Sequence, residues 1–221
     1  MRYYNYLNEE KSYKEDDIDT LRELLHTKCG RFLNECNGNW LYRGVRNPQH
    51  LFGIRKVRQN RKPVDNSKDV HRYFDKVLYE MFGWRARSNS LFCTGSISQT
   101  GDYGEPYVIF PIGKYNYLHS DVIFDLYLDL IKLPSHLINI LKKYDLDKII
   151  NWMDIFDKKF RKNNDITEKD VINIVKDICA LYKKNAGIDK AAKSLKEVMM
   201  HCNEYIEVDR NYFVQNQREL L

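Results

Sequence analysis

The sequence predicts an α+β domain: a mixed or antiparallel sheet with flanking helices and a helical block inserted into it. Three observations lead there. Short apolar and aromatic runs, WLYRGV, SLFCTGS and PYVIFPIG, alternate with polar turns between residues 40 and 113. Helical spacing then takes over from about Asp121 to Lys184. Strand alternation returns in KEVMMHCNEYIEVD, so the helices interrupt a sheet and do not end it.

The elements follow in order. From Asp16 to about Glu35, Ile18, Leu21, Leu24, Leu25 and Phe32 recur at near-helical spacing after an acidic start, and Gly30 marks a late break. Asn37-Gly38 is a turn, and NWLYRGV is the first strand. The basic segment that follows, through Pro63, reads as a loop. Asn66-Ser67 offers an N-cap for KDVHRYFDKVLYEMF, whose Val70, Phe74, Val77, Leu78 and Met81 form one stripe ended by Gly83. SLFCTGS and PYVIFPIG are strands separated by a Gly-containing turn, with KYNYLHS as an edge strand. Four helical runs follow, DVIFDLYLDLIKL, SHLINILKKY, LDKIINWMDIFDKKF and TEKDVINIVKDICALYKK, with Pro134 separating the first two. NYFVQNQ extends the final strand region. The expected organisation is a single domain over residues 1–221, with an N-terminal helical segment over 1–37 and a helical insertion over 121–190.

A chain of 221 residues, 43% hydrophobic and 13% aromatic, can bury a full core. No apolar run reaches the roughly 18 residues that cross a bilayer, and the N-terminus lacks the apolar centre of a signal peptide. A soluble, cytoplasmic protein with no membrane partner is expected. Cys29, Cys36, Cys93, Cys179 and Cys202 are scattered, without CxxC or zinc spacing, and are expected to be reduced and buried. No metal site is expected. Residues 43–62 carry several bases and no acid, which suits phosphate of a nucleotide or nucleic acid, or an ordinary solvated loop. Abundant Asn, Lys and Tyr suggest an AT-rich genome, as in a bacteriophage or low-GC bacterium.

Three stretches carry candidate chemistry. In WLYRGVRN, alternation puts Arg43 on a face with Leu41 and Val45, where a guanidinium needs an anion, either a protein carboxylate or a ligand phosphate. In FCTGS, Thr94, Gly95 and Ser96 offer hydroxyls and a backbone that a ligand can approach closely, or simply a satisfied turn. In KEVMMHC, Val198, Met200 and Cys202 suit a core while Glu197, Met199 and His201 face the other way, which sets Glu197 at the mouth of a strand.

In this order, LYRG, FCTGS and KEVMMH resemble the ADP-ribosyltransferase fold of the arginine–serine–glutamate type, over roughly Trp40 to Val208. RKPVDNSKDVH, RARSNSLFCTGS and YGEPYVIFPIG are similar to segments of phage-encoded proteins grouped with ADP-ribosyltransferases. The resemblance implies a split sheet, with NAD as substrate. Arg43, Thr94 and Glu197 are the implied catalytic residues, and Arg43, Gly44, Arg46, Thr94, Gly95, Ser96 and Tyr103 the implied NAD-binding ones. Arg43 would contact the phosphates, and Glu197 would stabilise the cationic sugar as nicotinamide leaves. The implied activity is a glycosyltransferase modifying a host protein or nucleic acid during host takeover by a phage, in the host cytoplasm or in association with the virion.

Three positions depart from the pattern. Cys93 and Gly95 stand where S-T-S has serines, and Leu195 stands two residues before the glutamate, where many relatives carry Gln or Glu. These departures keep open an inactive binding protein on the same fold acting on a host or virion partner; the basic segment keeps open a nucleic-acid-binding protein. Arg85, Arg87, Tyr107 and Phe110 are further candidates to line the site, His71 is expected to be a hydrogen-bonded helical residue, and His201 could approach the cleft.

Overall fold

Strand pairing through the centre of the chain builds one nine-stranded sheet, seen in a computed structural model that describes residues 11–13, 17–48, 50–62, 67–149 and 151–221. The strands are β1 (Lys11–Tyr13), β2 (Tyr42–Val45), β3 (Phe52–Lys56), β4 (Leu91–Thr94), β5 (Glu105–Pro111), β6 (Asn116–Ser120), β7 (Tyr182–Lys184), β8 (Glu197–His201) and β9 (Glu204–Asp209). Their order is β1-β3-β9-β5-β2-β4-β8-β6-β7, and every pairing among the described residues is antiparallel. The α+β class therefore holds, with the antiparallel alternative realised. β2 and β4 share one paired position, Tyr42 with Thr94, so the sheet is weakly joined there into a five-strand and a four-strand portion.

The helices are α1 (Ile18–Lys28), α2 (Gly30–Cys36), α3 (Lys68–Phe82), α4 (Leu126–Lys132), α5 (Ser135–Lys142), α6 (Lys158–Asn163), α7 (Glu168–Cys179), α8 (Ile188–Lys193) and α9 (Arg210–Leu220). Local chemistry sets many of their starts. Asp17, Ser67, Asp125, Asp157, Thr167 and Asp209 each accept a backbone N–H of the first turn, and Thr167 with Asp170 completes a capping box.

Two cores lie on opposite faces of the sheet. The first joins α1, α2, α8 and α9 to Phe52, Val108, Phe110, Val198, Met200, Ile206 and Val208. The second joins α3 and α4 to α7 with only Leu118, Met199 and Tyr182 of the sheet, and Phe92 packed alongside. Strand alternation explains the division: Val198 and Met200 serve one core, and Met199 between them serves the other. All five cysteines are unpaired and buried. No helix of the described residues is long and apolar enough to cross a membrane.

Several expectations change. The basic segment contains β3, because Phe52 and Ile54 bury one face against β9. KYNYLHS is an interior strand, flanked by β8 and β7, and β7 breaks the 121–190 block. NYFVQNQ lies in helix α9, where Tyr212 and Phe213 turn into the first core. Met81 is exposed, while Tyr73 joins the buried side of α3. Within the expected N-terminal helical segment, residues 11–13 form a strand instead, and residues 1–10 and 14–16 lie outside the described residues. So do residues 63–66 of RKPVDNSKDVH, including Asn66 of the expected cap.

Candidate functional site

β2, β4 and β8 are neighbours in the sheet, so Arg43, Thr94 and Glu197 come from adjacent strands. Thr94 pairs directly with Glu197, and Tyr42, next to Arg43, pairs with Thr94. At usual strand spacing Arg43 and Glu197 are two strands, roughly 10 Å, apart.

Arg43 is half-buried and registers with Tyr107 of β5. Among the described residues no carboxylate pairs with it. Its charge acts instead on Arg61, Cys93 and Tyr205. The neighbouring guanidinium of Arg55 follows the opposite course: its Nε donates to the buried Glu207 at 2.8 Å, and His50 shares that carboxylate at 2.9 Å.

Glu197 is not at an open mouth. It is 9% exposed, and Arg87 Nη1 donates to both carboxylate oxygens at 3.3 Å. Burial pushes its carboxyl up to about 7; Arg87 offsets part of this and Asp125 adds to it. The correction has a topological cause: β8 is sandwiched between two helical layers, so the face that looks solvent-directed in the sequence is covered by α3 and α4 to α7.

Arg87 is itself held by a buried carboxylate. Asp75 of α3 accepts the backbone N–H of Arg87 at 2.8 Å and of Ser88 at 3.1 Å, and also the Ser88 hydroxyl. His71, one turn earlier, reaches Ser88 Oγ at 3.0 Å and Asp75 at 3.3 Å. Burial alone would raise the Asp75 carboxyl, but these hydrogen bonds and the imidazole hold it below the ordinary range. The expected hydrogen-bonded role of His71 is thus observed, and it fixes the chain that presents Arg87.

Arg61 completes a cationic cluster. As a residue it is exposed, yet its guanidinium carbon lies 4.7 Å over the Phe92 ring, with that of Arg87 at 4.8 Å from the same ring. Desolvation of that end, then the charges of Arg43 and Arg87, depress its ionisation, while Glu197 favours it. Arg61 and Arg87 thus share the Phe92 ring beside Glu197, and Arg43 acts on Arg61 from β2; among the described residues only Arg87 is paired with the carboxylate.

The remaining candidates serve the protein's own packing. The Thr94 hydroxyl points to Gln99 Oε1 at 3.1 Å and the Leu195 carbonyl at 3.3 Å, and accepts the Ser96 N–H at 3.1 Å. Ser96 Oγ meets Ser98 Oγ at 2.9 Å. A Cβ on Gly95 would lie 1.6 Å from the Ala192 carbonyl oxygen, and one on Gly44 2.5 Å from that of Thr100, so the close backbone approaches are made by protein and not by a ligand. Tyr103 packs its Cβ over Gly44 with the residue exposed, and Arg46 is exposed. Leu195 is exposed with φ 58, a left-handed conformation held through its carbonyl by Thr94 and Gln99.

Tyr107 and Phe110 are buried, which removes them as stacking surfaces. His201 shares the Glu197 face but stacks on Trp84, at 5.3 Å between centroids. Arg85 is exposed. Two cavities, of about 450 Å³ bounded by Val214, Gln217, Arg218 and Leu221 and about 220 Å³ bounded by residues including Arg31, Glu35 and Asp189, lie on other elements.

Sequence reasoning left Arg61 unnamed within a basic run and missed Asp75, although its spacing of four from His71 on a helix was a readable signal. Phe92 and Tyr182 carried none, since each resembles ordinary core. No protein-family model, curated protein or solved structure matches the chain.

Proposed function

We propose that the chain binds NAD at the Arg43–Arg61–Arg87 cluster and transfers ADP-ribose to a host macromolecule, protein or nucleic acid, as a phage-encoded ADP-ribosyltransferase. One observation carries this reading: Arg61, which has no carboxylate partner among the described residues, stands with Arg87 over Phe92 beside Glu197 of β8, and feels the charge of the likewise unpaired Arg43 of β2. Like charges gathered around a half-desolvated cation are unfavourable unless an anion joins them. A diphosphate supplies two negative charges and planar oxygen pairs that suit guanidinium forks.

The chemistry then follows from charge. The bond from C1 of the ribose to the nicotinamide nitrogen breaks with its electron pair leaving on nicotinamide, which departs neutral. Positive charge develops at the sugar, and a Glu197 carboxylate nearby stabilises it. An acceptor nucleophile bonds to C1 and gives up its proton. Thr94, bonded to the Leu195 carbonyl, positions the turn before Glu197 in place of touching the ribose.

The buried ion pair between Glu197 and Arg87 favours a second reading, a non-catalytic protein that binds an ADP-ribose-like anion and acts on a host or virion partner. Incubation with adenylate-labelled NAD and host lysate separates them. Transferase action gives labelled macromolecule and free nicotinamide, both lost in Glu197→Gln. ADP-ribose binding by calorimetry without nicotinamide release supports the second reading, and absence of both sinks the two together.

A further inference from the structure

The Arg87–Glu197 contact is a long one. One nitrogen of Arg87 serves both carboxylate oxygens at 3.3 Å, longer than the 2.7–2.9 Å of a tight charge-assisted bond. Neither Arg87 Nε nor Nη2 is among the buried, partnerless polar atoms of the described residues, and no hydrogen bond from them is seen, so each keeps some contact with solvent in a side chain that is 12% exposed. Beside this pair lies a group with nothing to do. The Tyr182 hydroxyl is buried, its residue 4% exposed, and it has no hydrogen-bond partner. A buried hydroxyl left unpaired costs on the order of 1–3 kcal/mol, which calls for a reason.

Strand register gives the reason. Thr94 pairs with Glu197 across β4 and β8, His119 pairs with Val198 across β6 and β8, and Ser120 pairs with Tyr182 across β6 and β7. One step beyond the His119–Val198 pair, Ser120 falls level with Glu197. Thr94, Glu197, Ser120 and Tyr182 thus form one row, and Tyr182 and Met199 face the same core. The Ser120 hydroxyl is small and already accepts the Val122 and Ile123 N–H groups, so the Tyr182 ring can pass over it toward Glu197. Glu197 and Arg87 are the strongest charged influences on the Tyr182 hydroxyl, followed by Cys179 and Asp125.

We propose that Arg87 is a ligand-operated latch on Glu197: a diphosphate bound by Arg43, Arg61 and Arg87 draws the guanidinium off the carboxylate, and the Tyr182 hydroxyl then donates to Glu197 in its place. The latch rests on the anion site proposed above. Tyr182 is a positioning residue, holding Glu197 after Arg87 has gone. The other groups facing the carboxylate, Asp125 and the Leu126 N–H, stay in place, since Asp125 caps α4 through the Leu128 N–H at 2.9 Å.

The test uses the full chain labelled with 13C at glutamate carboxyl carbons, the Glu197 signal being assigned by its loss in Glu197→Gln. Inorganic pyrophosphate is the probe, with binding followed by calorimetry. On saturation the wild-type Glu197 titration midpoint should rise by about one pH unit as the cation leaves. In Tyr182→Phe the rise should be larger, by roughly a further half unit, because no hydroxyl replaces Arg87. Pyrophosphate that binds while the midpoint stays still overturns the latch and leaves the anion site standing. Equal rises in wild type and Tyr182→Phe show simple repulsion by the bound anion and remove Tyr182. Failure of pyrophosphate to bind overturns latch and anion site together.

Discussion

Replacing Glu197 by Gln removes one ionisation from the interior, and the structure says how stability should then depend on pH. Burial raises the folded-state carboxyl from 4.5 to about 7. Between those values the folded chain holds a proton that the unfolded chain has lost, so this group's contribution is full below pH 4.5 and is lost as pH rises through 7. For midpoints of 4.5 and 7, linkage puts the contribution at about 2.5 kcal/mol at pH 5, about 1.4 kcal/mol at pH 6 and close to zero at pH 8. The side chain is 10% exposed, so solvent screening removes little of this. Urea unfolding of wild type and Glu197→Gln across pH 5 to 8 isolates the effect, because every other titrating group is common to both. The wild type should lose about 2.5 kcal/mol relative to the variant over that range. Parallel curves would mean that Glu197 is an ordinary ionised carboxylate, fully neutralised by Arg87, and the account of its burial would be wrong.

Asp75→Ala should cost about 3 kcal/mol in urea unfolding, since it strands the Arg87 N–H and takes the carboxylate from the buried His71–Ser88 pair, although the Ser88 N–H keeps its bond to the Arg85 carbonyl. Arg43→Ala should change stability by less than about 0.5 kcal/mol, because no carboxylate among the described residues depends on it, while ADP-ribose binding by calorimetry falls at least about tenfold; a loss of several kcal/mol in stability would mark Arg43 as a structural residue. Gly95→Ala should lower the thermal midpoint sharply, or prevent folding, because its Cβ meets a backbone carbonyl of α8 that cannot swing aside. An unchanged midpoint would mean that β4 and α8 do not pack as described.

Much of the architecture was legible because its signals are local. The stripe of Val70, Phe74, Val77 and Leu78, the capping residues Ser67 and Thr167, and the alternation of Val198, Met200 and Cys202 all depend on residues a few positions apart. β1, β3 and β7 were not legible, since strands of three to five residues declare themselves only through distant partners. The same limit applied to α9, whose short apolar stripe was read as strand because only its packing beside β5 and β9 selects the helix.

The sequence by itself determined the α+β class, the caps that start helices, and the residue types from which a site can be made: an unusual arginine in WLYRGVRN, a run of bases after it, and a glutamate on a late strand. Tertiary structure decided how those residues are used. It brought β2, β4 and β8 side by side, left Arg43 and Arg61 without carboxylate partners among the described residues, and gave Arg55 the partner that Arg43 lacks. It also covered Glu197 and set Arg87 against it. The physical reason is that an anion's partner and its desolvation are fixed by groups remote in the chain, here residues 87 and 197. No local periodicity can report which charge meets which.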